Sequence, residues 1–93
     1  MLYLIQDAIN VVNLLKQNSI NCEVIGNIAR IGYSEHDIDI WIKEQDTQNL
    51  RDKLIFLLNP KEVINTDWEG MYLRETNFGD VDIFLRIDNL DYL

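Results

Sequence analysis

The stretch Val24–Ile42, "VIGNIARIGYSEHDIDIWI", decides how the 93-residue chain is read. In its second half, Ile38, Ile40 and Ile42 alternate with Asp37, Asp39 and Trp41. Period two specifies an extended strand with one dry face and one polar face. Leading into its first half, the run "INCEVIG", Ile20 to Gly26, reads as a strand that ends at Gly26. The short "NIARIG" that follows leaves room for one or two helical turns before Gly32. Two carboxylates two residues apart on one strand face either keep that face wet or hold a cation.

Outward from this centre the periodicity changes. "YLIQDAINVVNLLKQN" places Leu4, Ala8, Val11, Val12 and Leu15 on one side of a helix, with Asn18 and Ser19 as stop residues. Downstream, "DTQNLRDKLIFLLN" gathers Leu50, Leu54, Leu57 and Leu58 on a second helical face. Asp46 is its expected N-cap and Pro60 lies just past its end. "EVINTDW" and "MYLRET" are β-prone runs separated around Glu69-Gly70, the pattern of a hairpin. "DVDIFLR" repeats the alternation, with Val81, Ile83 and Leu85 against Asp80, Asp82 and Phe84. The expectation is a single α/β (α+β) domain over residues 1–93, with a mixed sheet and helices packed mainly on one face.

Composition narrows the function. A net charge of −8, with the lysines and arginines scattered, disfavours an unaided nucleic-acid binder, because phosphates repel an acidic surface. No apolar run reaches the roughly 20 residues of a membrane span. The single cysteine, Cys22, cannot close an internal disulfide and reads as a small core residue, in keeping with a reducing, cytoplasmic setting. "GNIARIGYS" has five residues between its glycines and no lysine after the second, so it is not a P-loop, and no G-x-G-x-x-G occurs.

The acids carry the candidate chemistry. Asp37 and Asp39, rooted about 6–7 Å apart by strand rise, repel each other unless a cation lies between them. A third strand acid, Asp82 or Asp80, would complete an all-oxygen ligand set suited to Mg²⁺. Asp82 is favoured because Val81 and Ile83 bracket it. The glycine at Gly26 allows a phosphate close to the backbone, and Arg30 on the same turn is either a solvated residue or a phosphate contact. His36 reads as a surface residue, and Trp41 and Trp68 as packing residues.

"IGN-IARIG-YSEH-DIDIWI" together with "VDIFL" resembles the signature of the DNA polymerase beta nucleotidyltransferase superfamily, in particular its minimal nucleotidyltransferases. Two positions depart from the usual pattern: Asn27 stands where Ser or Gly is common, and His36 precedes the acid pair. The resemblance implies a nucleotidyltransferase-like fold and Mg²⁺-dependent transfer of a nucleotide, AMP from ATP, to a hydroxyl. Gly26, Asn27 and Arg30 would face the nucleotide. Asp37, Asp39 and Asp82 would hold two Mg²⁺ ions, with Asp82 also serving the attacking hydroxyl. It further implies a protein partner, a HEPN-type toxin for which this chain would be the antitoxin, or else a second copy. The other reading that stays open is a catalytically inactive binding or regulatory subunit of the same fold.

Overall fold

The computed structural model describes residues 1–65, 67 and 69–85. Trp68 and the tail "IDNLDYL" lie outside the described residues. The chain runs β1 (Tyr3–Leu4), α1 (Ile5–Gln17), β2 (Cys22–Ile25), α2 (Gly26–Ile31), β3 (Tyr33–Ser34), β4 (Ile38–Ile42), α3 (Gln48–Leu58), β5 (Glu62–Asn65), β6 (Gly70–Thr76) and β7 (Gly79–Phe84). β1 and β3 form a small antiparallel pair, and the other strands form a mixed sheet in the order β2-β4-β7-β6-β5. Only the β4–β7 pairing is parallel; β2–β4, β6–β7 and β5–β6 are antiparallel. The fold is therefore α+β, as the alternation and the two helical periods predict.

The isoleucines of β4 do what period two requires. Ile38, Ile40 and Ile42 are buried, and they share a core with Val81 and Ile83 of β7 and Met71 and Leu73 of β6. Ala8, Val11 and Leu15 of α1 and Leu50, Leu54 and Leu58 of α3 close over that face. Cys22 is buried on the same side, and burial pushes its thiol pKa up. The hairpin expected around Glu69-Gly70 is present as antiparallel β5 and β6. No helix among the described residues is long and apolar enough to cross a membrane.

Three local expectations shift. Helix α3 is capped by Thr47, whose side chain accepts from Leu50 N, and not by Asp46. Asp46 is spent instead on a two-pronged bond to Arg51, at 2.9 and 2.7 Å. Leu57 sits at the margin of the buried stripe, half-buried, while Leu50, Leu54 and Leu58 keep the i, i+4, i+8 line. Leu4 is not on the buried face of α1: it is extended, pairs with Tyr33, and is exposed. Its N–H goes to Asp7 Oδ2 at 2.8 Å, so the helix begins one residue later.

Candidate functional site

The second face of the sheet is the less buried one at β4. On β4 it presents Asp39 and Trp41, half-buried beside buried isoleucines. The parallel register sets Asp39 beside Asp82 and Trp41 beside Phe84. The next strand sets Tyr72 beside Asp82. Adjacent strands are about 4.8 Å apart, so the pairing alone brings the carboxylates of Asp39 and Asp82 together. Asp37 enters from the loop before β4. Ser34 Oγ accepts from the backbone N–H groups of His36 and Asp37, at 3.4 and 3.3 Å, and so fixes that loop. One oxygen from each of Asp37, Asp39 and Asp82 then lies within 4.8 Å of the others.

Gly26 closes the site from beneath. Its φ is +72°, in the left-handed region that favours glycine. A Cβ at this position would overlap Asp39 Oδ2. The glycine thus seats the acid: the space a side chain would fill is taken by the Asp39 carboxylate. Asn27 and Arg30 lie exposed on α2, where Arg30 Nη2 donates to Asn27 Oδ1 at 2.7 Å. The Arg30 charge is near enough to Asp39 to favour its ionised form.

The electrostatics are those of a site short of positive charge. Burial, then the charge of Asp37 and its hydrogen bond, push Asp39 up to about 8. Burial likewise raises Asp82, to about 6, against the opposing hydrogen bond from Arg74. Carboxylates held together this way keep a proton between them unless a cation replaces it. The donor set, three hard carboxylate oxygens within 4.8 Å of one another, is of the kind that Mg²⁺ takes.

Asp80 does different work. Its Oδ1 accepts from Glu75 N at 2.9 Å across an irregularity in β6. Its own N–H donates to Tyr3 Oη. Two clefts of about 520 and 620 Å³ run along Met1, Tyr3, Asn77 and Gly79, and neither includes Asp37, Asp39 or Asp82. His36 is exposed, and Lys43 Nζ stands 5.1 Å from the centre of the Trp41 ring.

Sequence reasoning passes over two residues of this site. Ser34 is signalled only by a hydroxyl three residues before an aspartate, a local turn pattern. Arg74 Nη1 donates to Asp82 Oδ1 at 2.7 Å, with the guanidinium mostly sheltered. Nothing local in "MYLRET" announces that contact, because it depends on β6 lying next to β7. Comparison with protein-family models, with curated proteins and with solved structures gave no match.

Proposed function

We propose that the chain is a metal-dependent nucleotidyltransferase that moves AMP from ATP onto a hydroxyl, with a protein as acceptor. The observation that carries this reading is the meeting of Asp37, Asp39 and Asp82 within 4.8 Å, with Asp39 seated on Gly26. Three carboxylates at that separation supply the ligands that a divalent cation and a triphosphate need. The resemblance of "IGN" and "DIDIW" to minimal nucleotidyltransferases points to the same reaction class.

Asp37 and Asp39 would hold the cations, with Asp82 completing their ligand set. Bound Mg²⁺ would supply the positive charge that neutralises the triphosphate and activates an oxygen nucleophile. Asp82 also serves the attacking hydroxyl, as its base or by orienting it. The acceptor oxygen forms a bond to the α-phosphorus, the α–β phosphoanhydride breaks, and pyrophosphate leaves. Arg30, exposed on α2, gives charge to the departing phosphates by exchanging its bond to Asn27 for one to phosphate. The acceptor comes from a partner, either a HEPN-type toxin that this antitoxin would modify or a second copy of the chain.

The test is incubation with α-labelled ATP, Mg²⁺ and candidate partner proteins, with Asp39→Ala alongside. Label that appears on a partner with the wild type and vanishes with the variant supports the assignment; equal labelling by both rejects it. The inactive-subunit reading draws on the Asn27–Arg30 bond, which turns both polar side chains toward each other. It predicts that millimolar Mg²⁺ with ATP changes neither thermal stability nor tryptophan fluorescence.

A further inference from the structure

We infer that Arg74 is a positioning residue for the acid cluster: it occupies one oxygen of Asp82, makes that aspartate a one-oxygen ligand, and sets the cluster to hold a single divalent cation until nucleotide arrives. The inference rests on the nucleotidyl-transfer reading above.

The contact is built rather than incidental. Arg74 and Asp82 meet at 2.7 Å, with the aspartate side chain 11% and the arginine side chain 28% exposed. Such a charge-assisted bond fixes the carboxylate more firmly than a solvent contact would. The backbone around Arg74 is bent for it. Between the pairs Leu73–Val81 and Thr76–Gly79, β6 has two residues, Arg74 and Glu75, where β7 has only Asp80. That is a bulge, a device that re-aims a side chain. Glu75 takes φ 51°, and its N–H is satisfied by Asp80 Oδ1. The Tyr72 ring lies under the guanidinium, 5.2 Å from its carbon, and supports it from the other side.

The consequence for a cation follows from charge and valence. Cation binding needs the ligands deprotonated. Three carboxylates and one guanidinium then leave a charge of minus two, which one divalent ion neutralises. With Asp82 Oδ1 already accepting from Arg74, Oδ2 is the oxygen better able to offer a cation its lone pairs. A second ion would enter with the negative charge of the triphosphate. Without Arg74, Asp82 could chelate through both oxygens and the cluster would gain one negative charge. Cation binding would tighten while the geometry needed for transfer would degrade.

The experiment is Mn²⁺ titration followed by electron paramagnetic resonance, on the wild type, Arg74→Ala, Arg74→Gln and Arg74→Lys, each checked for folding by circular dichroism. Without nucleotide the wild type is expected to bind one ion per chain, and a second only with a non-hydrolysable ATP analogue. Arg74→Ala and Arg74→Gln are expected to bind the first ion about tenfold more tightly, because a positive neighbour has gone. Arg74→Lys keeps the charge and stays near the wild-type affinity. In the transfer assay, kcat for the two neutral variants falls by about a hundredfold with the KM for ATP little changed. Neutral variants with a wild-type Mn²⁺ curve, or with weaker binding, overturn the role of Arg74 and leave the cation reading intact. A wild type that binds no Mn²⁺ overturns the cation reading and this inference with it.

Discussion

The two faces of β4 are made by one alternating run and have opposite fates. Toward the helices, Ile38, Ile40 and Ile42 are 0%, 0% and 1% exposed, buried among residues of α1, α3, β6 and β7. Toward the other side, Asp39 is half-buried next to Asp37 and Asp82, whose charges add to burial in raising its pKa. The first face supplies stability by removing apolar surface from water. The second face costs stability, because it gathers three carboxylates against the charges of Arg74 and Arg30. A small domain accepts such a cost where a function repays it, and the comparison indicates which residues to change for which effect.

Changing the closed face should hurt most. Leu54→Ala, at a position 0% exposed, is expected to destabilise by about 2–5 kcal/mol, read from urea denaturation. Asp39→Asn in metal-free buffer at pH 8 should do the reverse and leave the protein at least as stable as wild type. A large loss there would mean that the open face is structural too. Gly26→Ala strikes where the faces join. The substituted residue would sit at φ +72° with its Cβ against Asp39, so about 1–3 kcal/mol of stability should go, and divalent-cation binding with it.

The pH dependence sharpens the contrast without any mutation. Asp39 titrates near 8 in the folded chain against an ordinary 3.8, so the folded state holds a proton that the unfolded state has released. By linkage, this contribution is greatest at low pH and is lost as pH rises from about 4 to about 8. Asp82, at about 6, adds to the same slope. Saturating Mg²⁺ should flatten it, since the ion takes the proton's place. Thermal midpoints measured from pH 5 to 8, with Mg²⁺ and with chelator, check this; a slope that ignores Mg²⁺ would count against a cation at these acids. The smallest effect is expected far from the site: Thr47→Ala should cost about 1 kcal/mol through the lost cap of α3, with cation binding unchanged.

What was legible in the sequence follows the same division. Alternation and the 3.6 period are local signals, and they place the strands around Ile40 and Ile83 and the helices around Val11 and Leu54. They also put Asp39 and Asp82 on strand-borne polar positions, whereas Asp37, expected on the same strand as Asp39, lies in the loop just before it. Which strands become neighbours is non-local. The parallel register of Asp39 with Asp82, and the placing of Arg74 next to β7, come from long-range packing that no local period encodes. The cap of α3 fell to Thr47 because Arg51 competes for Asp46, a choice settled by geometry between two good capping residues. Gly26 was legible as a special position but with a different immediate reason: its missing side chain makes room for Asp39, whereas the sequence suggests room for a phosphate.

The proposed activity of the face that carries Asp37, Asp39 and Asp82 is nucleotidyl transfer. The most direct measurement compares ATP labelled at the α-phosphate with ATP labelled at the γ-phosphate, incubated with the wild-type chain, a partner protein and Mg²⁺. The account predicts that α-label alone becomes fixed to protein, that chelator abolishes it, and that Asp39→Asn lacks it. Incorporation of γ-label, or α-label undiminished by chelator or by Asp39→Asn, would contradict it.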